Sequence, residues 1–336
     1  MSCSEENEIL SASLYHPVTV GTAVLPGNLF LAPVAGYSDA AFRSVCAEHG
    51  CDLAYTEMVS SEALIRGHRA TRTLLARGES ERQYAVQIFG ADPRSMARAA
   101  ELLAPFHPTL VDINCGCPVP KIVRAGAGSA LLRDPGRLAE IVRAVCSSSP
   151  APVTVKIRLG WDEGSVNFLE TAAAAVEAGA SAVTLHARTR AQGYSGKADW
   201  PALARLKSSL SVPVFGSGDV FRPGDARRMI EETGVDGVMI ARGAMGNPFI
   251  FRQAREVLEG REPGEPSPAE RAAAARRHLT LAVEYLGERT ACVEFRKQMC
   301  AYTKGVRGGA ELRAAAVKCS TAAEYEDVFR LWDSCA

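Results

Sequence analysis

Within the 336 residues, a few segments combine residue types that can do chemistry. Asn114-Cys115-Gly116-Cys117-Pro118 offers two thiols one residue apart. A Cys-X-Cys pair can ligate a metal, but no second Cys or His pair stands nearby, which argues against a closed zinc site. A nucleophilic thiol needs a base, and nothing in the pattern couples His186 to Cys117. A third role is acid catalysis: a thiol with a reference pKa of about 8.5 is mostly protonated at neutral pH and can give a proton to carbon. Two small residues packing a turn is the plain alternative, and the motif alone leaves it open. Lys156, inside Val153-Thr154-Val155-Lys156-Ile157-Arg158, is a cation in an apolar run, costly to bury unless it meets an anion or an electron-rich ring. Gln87 is a neutral donor and acceptor suited to the edge of a heterocycle, or simply a satisfied strand residue. His186, Arg188 and Arg190 form a basic group that a solvated loop would explain equally well. Small residues at Ala32-Pro33-Val34-Ala35-Gly36 let backbone approach a flat ligand. Gly216-Ser217-Gly218-Asp219 and Ala241-Arg242-Gly243 are turns whose N–H groups, with one arginine, can cradle a phosphate.

These segments are placed by eight short apolar runs: Leu29–Pro33, Leu53–Met58, Ala85–Phe89, Leu110–Asn114, Val153–Arg158, Ala182–His186, Val212–Gly216 and Gly237–Ala241. Nearly unbroken apolar runs suit parallel strands buried on both faces, and helical patterns such as Phe168–Ala178 and Ala226–Glu232 lie between them. The pattern predicts an α/β fold, a (β/α)8 TIM barrel, with an open doubly wound sheet as the alternative. Each chemical segment then falls at a C-terminal strand end, where barrels of this kind carry their sites, and the two glycine turns fall after strands seven and eight, their usual phosphate site. FMN is the economical ligand for such a set, and no GxGxxG stretch follows a predicted strand to suggest a tightly held dinucleotide. The segment Glu259–Pro268 reads as a connector, and Ser267-Pro268-Ala269-Glu270 as a capped helix start. Leu279, Ala282, Val283 and Leu286 recur at helical spacing, as do Tyr325, Val328, Phe329 and Trp332 after a second possible box at Thr321–Glu324. A small C-terminal helical bundle is expected, with residues 1–255 forming the barrel and 256–336 the second domain.

Composition narrows the class. Hydrophobic residues make up 47% and charged residues 23%, as in an ordinary soluble domain, and Lys+Arg and Asp+Glu both total 38. Any contact with a polyanion must therefore be local, as in the acid-free runs Phe295–Ala310 (Arg296, Lys297, Lys304, Arg307) and Ile113–Arg133 (Lys121, Arg124, Arg133). Ten cysteines without regular spacing point to reduced thiols rather than a disulfide framework. The polar, acidic N-terminus lacks the signature of a secretory leader, and no run approaches the ~18 apolar residues of a membrane span. A cytoplasmic protein without membrane contact is expected.

Taken together and in order, APVAGYSDAAFR, AVQIFGADP, DINCGCPVPKIVRAGAGSALLRDP, VTVKIRLGW, LHARTRAQGYSGKADW and GVMIARGAMGNPFIF resemble the bacterial tRNA-dihydrouridine synthases over about residues 20–250. The segment EFRKQMCAYTKGVRG resembles that family's RNA-binding helical domain. The resemblance implies an FMN enzyme that reduces the C5–C6 double bond of particular uridines in tRNA with NADPH. It also implies roles: Cys117 as proton donor to C5, Pro33, Val34 and Ala35 lining the flavin, and Gln87 and Lys156 at its ring system. His186 would lie near the phosphate or the substrate, and Ser217, Gly218, Asp219, Ala241 and Arg242 would hold the phosphate. Asn114 would orient substrate or flavin, while Arg188, Arg190, Arg296 and Lys297 would contact tRNA. No metal is implied. Val34, Ser217, Ala241 and Cys115 depart from residues common in relatives, where Met, Asn and Gly often stand at the first three. Two rivals remain at this level: an FMN barrel acting on a free small molecule, and a tRNA-binding protein whose catalysis has lapsed. The acid-free basic stretch argues against the first, and the retained Cys117, Lys156 and phosphate turns against the second.

Overall fold

The computed structural model describes residues 13–335. The expectation about a leader rests largely on residues 1–12, which lie outside the described residues. Eleven strands occur in chain order among the described residues: β1 (Val18–Val20), β2 (Ala23–Leu25), β3 (Leu29–Leu31), β4 (Leu53–Tyr55), β5 (Val59–Ser60), β6 (Tyr84–Phe89), β7 (Leu110–Asn114), β8 (Val153–Arg158), β9 (Ala182–His186), β10 (Val214–Ser217) and β11 (Gly237–Ile240). From β3 to β11 all pairings are parallel, in the order β4-β3-β11-β10-β9-β8-β7-β6-β5, and β4 also pairs with β6. That last pairing closes the ring, and helices lie between the strands. The fold is a TIM barrel followed by a helical C-terminal region.

The expected run Leu53–Met58 divides into β4 and β5, because the N–H of Gln87 on β6 donates to the Thr56 hydroxyl (3.1 Å) rather than to a ladder carbonyl. The run at Val212 starts late, at Val214, after Pro213, which has no N–H to give a ladder. The antiparallel hairpin β1–β2 was not anticipated: its three-residue strands are too short to show a period. Val18, Val20 and Leu25 of the hairpin pack with Leu53, Leu110 and Ala182, each the first residue of its strand. The hairpin therefore sits at the N-terminal end of the barrel.

Successive side chains alternate across a strand, so each barrel strand serves two layers. Outward residues such as Val111, Ile113, Val155, Ile157, Val183 and Leu185 build the large core under the helices. Inward residues such as Phe30, Tyr55, Phe215 and Met239 fill the barrel. Several helices begin with a short polar cap and a proline in the first turn. Asp92, Asp134, Asp199 and Ser267 each accept a backbone N–H from three residues on, which holds the helix start where the preceding loop leaves the barrel rim.

Helix Ile250–Leu258 is followed by a stretch without regular structure at 261–267. Beyond it lie helices Pro268–Leu286, Glu288–Tyr302, Gly309–Ala316 and Ala322–Cys335. Both expected capping boxes form: Ser267 with Glu270 (2.8 and 3.2 Å) and Thr321 with Glu324 (3.0 and 3.3 Å). Leu279, Phe295, Met299, Tyr325, Phe329 and Trp332 make a separate core. These helices dock on the barrel helix Ala40–Glu48, where the His278 ring stacks on Phe42 at 5.4 Å and Arg277 pairs with Glu48 at 2.9 Å. Gly246 (φ +65°) permits the contact from the other side, since a Cβ there would fall 2.3 Å from the backbone carbonyl carbon of Ala301. The cysteines from Cys46 to Cys319 are free thiols, and no described helix is long and apolar enough to cross a membrane.

Candidate active site

One cavity at the C-terminal strand ends gathers Pro33, Val34, Ala35, Gln87, Asn114, Cys117, Lys156, His186, Ser217, Gly218, Asp219, Ala241 and Arg242. Residues brought from seven strands thus meet where the sequence placed them only as strand ends. Its floor is a directional chain of hydrogen bonds. Asp112, fully buried, accepts from Gln87 Nε2 (2.6 Å) and from the Thr154 hydroxyl (2.6 Å). Gln87 Oε1 accepts from Asn114 Nδ2 (2.7 Å), and Asn114 Oδ1 accepts from the N–H groups of Gly116 (3.2 Å) and Cys117 (3.0 Å). An acceptor-only carboxylate at one end and backbone donors at the other leave a single orientation for both amides. The remaining N–H donors of Gln87 and Asn114 and the ammonium of Lys156 make the floor donor-rich.

Charge follows from burial. Desolvation pushes the Asp112 carboxyl up to about 6, against its hydrogen bonds to Gln87 and Thr154 and the pull of Lys156. Desolvation lowers Lys156 to about 8, with Arg158 adding to the effect and Asp112 opposing it. His186 is pushed well down, first by burial and then by Lys156, Arg158, Arg188 and Arg242, so it is neutral at pH 7. Burial raises the Cys117 thiol, only partly offset by a backbone hydrogen bond from Val119 and by Arg158, which keeps it protonated. The two thiols of the motif part ways, for Cys115 is buried in the strand–helix core while Cys117 lines the cavity.

The loops after β10 and β11 meet closely. A Cβ on Gly243 would lie 2.2 Å from the Val220 carbonyl oxygen, and one on Gly218 (φ +132°) 2.7 Å from Ala198 Cβ. Asp219, itself at φ +57°, accepts from Arg188 Nη2 (2.7 Å), Arg242 Nη2 (3.1 Å) and the Ala198 N–H (2.8 Å). Its side chain therefore fixes Arg242 rather than facing an anion. The backbone N–H groups of Gly218 and Asp219 donate to no carbonyl among the described residues. Arg242 also lies 4.9 Å from the Tyr194 ring and 5.0 Å from that of Phe221, both at the cavity edge. Close backbone, free N–H groups and one braced guanidinium are the features a phosphate needs, and a donor-rich floor suits an acceptor-rich planar ring.

Of the residues assigned to substrate, only Asn114 lines this cavity. Arg188 is buried, with Nη2 committed to Asp219 and the Gly196 carbonyl (2.7 Å) and Nε to the Ser195 carbonyl (3.0 Å), while Nη1 has no partner among the described residues. Arg190 lies over Trp161, and Arg296 donates twice to the Cys319 carbonyl (2.8 and 3.2 Å). Lys297 pairs with Glu294 and faces the crevice between barrel and helices. Sequence reading missed Asp112, Thr154, Arg158 and Tyr194. Arg158 ties the Cys117 loop to the next one, donating to the carbonyls of Gly116 (2.8 Å), Thr189 (3.0 Å) and Gly193 (3.0 Å). Polar residues at every second position, Asp112/Asn114 and Thr154/Lys156/Arg158, were the available signal.

A family model described as Dihydrouridine synthase (Dus) matches residues 30–333. The chain belongs to the dihydrouridine synthase family. Among curated members, it is 48% identical to a probable tRNA-dihydrouridine synthase of Treponema pallidum, covering 96% of this chain and 97% of that one. It is 39% identical to tRNA-dihydrouridine synthase B of Pseudomonas aeruginosa, over 88% and 90% of the two chains. Among solved structures, histamine dehydrogenase from Rhizobium sp. 4-9 superposes with a TM-score of 0.55 at 16% identity, over 80% of this chain and 51% of that one. That likeness, to about half the dehydrogenase, concerns the barrel fold alone. As a family, dihydrouridine synthases are oxidoreductases, and the match extends through the helical region as well as the barrel.

Proposed function

We propose that the chain is an FMN-dependent tRNA-dihydrouridine synthase of the cytoplasm that uses NADPH, with no metal, to saturate the C5–C6 bond of specific uridines. Residues 1–255 would form the catalytic domain and 256–336 the tRNA-binding one. The observation that carries the reading is the convergence in one cavity of a protonated thiol, a donor-rich floor and a glycine-built phosphate cradle. Family membership supplies the substrate class.

Ser217, Gly218, Asp219, Ala241 and Arg242 would hold the phosphate, chiefly through backbone N–H groups and the braced guanidinium. Pro33, Val34 and Ala35 would lie along the ring, with Gln87 and Lys156 donating to its acceptor edge and His186, neutral, near the phosphate or the substrate. When bound, FMN supplies two-electron hydride chemistry between NADPH and C6 of the pyrimidine. Cys117 keeps its proton at Sγ, held in place by the Asn114 contact to its own N–H, and donates it to C5. Hydride and proton together account for the two hydrogens gained, and the thiolate regains its proton from solvent. The uridine must leave its stack to reach this depth, at a cost of about a few kcal/mol that is smaller in a loop than in a duplex.

The test is Cys117→Ala. Dihydrouridine formation in a tRNA transcript should fall roughly 10²–10⁴-fold, the usual contribution of a positioned acid, while the protein stays yellow. Undiminished product would remove Cys117 from the role, and a colourless wild-type protein that FMN cannot reconstitute would remove the flavin.

A further inference from the structure

On the barrel rim, outside the cavity, two arginines from different loops share one indole. Trp161 follows β8, and its ring centroid lies 4.4 Å from the Arg190 guanidinium and 4.9 Å from that of Arg133. Arg133 ends the short turn Gly128–Arg133 after β7, while Arg190 belongs to the loop after β9. Loops from three consecutive strands thus meet at one side chain. The backbone laces two of them together, the N–H groups of Arg190 and Ala191 donating to the carbonyls of Gly160 and Trp161 (both 2.9 Å).

Neither guanidinium has an acidic partner among the described residues, and Nε of Arg190 is buried without any hydrogen-bond partner. By contrast, Arg43, Arg137, Arg188, Arg242 and Arg276 all reach carboxylates. Helix Pro120–Arg124, packed on the same turn, adds exposed Lys121 and Arg124, again without carboxylate partners among the described residues. Two guanidinium groups over one ring repel each other. The indole offsets this through cation–π attraction, and an anion between or beside them would offset it further. With the ring committed to cations, the cluster offers planar N–H donors rather than a surface on which a base can stack. Phosphate, met by a guanidinium fork, fits that chemistry.

Position adds a second argument. Counting around the ring from β3, β8 is the fifth of eight strands, and the C-terminal helices dock on the helix that follows β3. The cluster therefore faces the bundle across the barrel mouth. We infer that Arg133, Trp161 and Arg190 form a phosphate-gripping site that holds the RNA backbone on the rim opposite the helical bundle, without reading base identity. This rests on RNA being the substrate. The RNA is then supported on both sides of the mouth, with the extruded nucleotide between the supports.

The experiment measures binding of an unmodified tRNA transcript to the full-length, FMN-loaded protein over 50–200 mM KCl. Arg133→Gln with Arg190→Gln should raise Kd roughly 10–100-fold near 100 mM salt, and should lower the slope of log Kd against log salt by about 1.5–2. Trp161→Leu keeps both charges but frees them, so it should weaken binding with the slope kept. An unchanged thermal midpoint and flavin spectrum show that the variants fold. Equal affinity and slope in wild type and double variant would overturn the rim site, and so would weaker binding with an unchanged slope in that variant, since the arginines would then act only by shaping the loops. Absence of tRNA binding by the wild type would instead overturn the RNA reading beneath it.

Discussion

Asp112→Asn separates two things the buried carboxylate does. The group is fully buried and pushed up to about 6 from an ordinary 3.8, so between pH 4 and 6 the folded protein keeps a proton that the unfolded chain has released. In that window stability falls as pH rises, by about 3 kcal/mol for a shift of roughly two units. Above pH 6 the carboxylate is ionised in both states and the penalty is constant. Asparagine has no such proton. Its carbonyl can go on accepting from Gln87 Nε2 while its amide turns to the Thr154 hydroxyl, so the orientation of the chain from Gln87 to Cys117 is kept. Relative to wild type, the variant should therefore gain about 3 kcal/mol between pH 4 and pH 7. Urea unfolding of both apo-proteins at half-unit steps from pH 4 to 8 measures this. A stability difference that stays flat across the range would refute the argument that burial holds the carboxyl up. The same exchange should damage function, because Asp112 is the negative charge that supports the Lys156 ammonium, already lowered to about 8. The variant should lose that cation at a lower pH than wild type does.

Other expectations follow from close contacts. Gly243→Ala places a methyl 2.2 Å from the Val220 carbonyl oxygen and must part the loops after β10 and β11, so, if these hold the phosphate as proposed, FMN affinity in a flavin titration should fall at least ~10-fold; an unchanged Kd would show that the cradle lies elsewhere. Arg296→Gln removes two hydrogen bonds to the Cys319 carbonyl inside the bundle and should lower its stability by about 1–2 kcal/mol in thermal or urea unfolding. If stability is untouched and tRNA binding falls, Arg296 is an RNA contact after all.

The barrel was legible because its outward strand positions are continuously apolar, as at Val111/Ile113 and Val155/Ile157, and because capped, proline-led helices punctuate the chain. The cavity residues were legible wherever a polar residue stood in the C-terminal half of an apolar strand, as with Gln87, Lys156 and Ser217. Asp112 was not, because a carboxylate in the middle of an apolar run looks like an interruption until its partners on neighbouring strands are in place. Arg188 and Arg296 show the opposite case. An arginine near a site looks available in sequence, yet its five donors can be taken up by carbonyls that only the fold brings within reach. The hairpin escaped because three-residue strands have no period to read.

That hairpin has a consequence for traffic. With Val18, Val20 and Leu25 packed against the N-terminal end of the barrel, a ligand approaches the chamber from the C-terminal rim. On the proposed reaction, a nicotinamide and an everted nucleotide would share that entrance and would have to use it in turn. The walls around Cys117 and Lys156 would then have to keep solvent away from the site between the two visits.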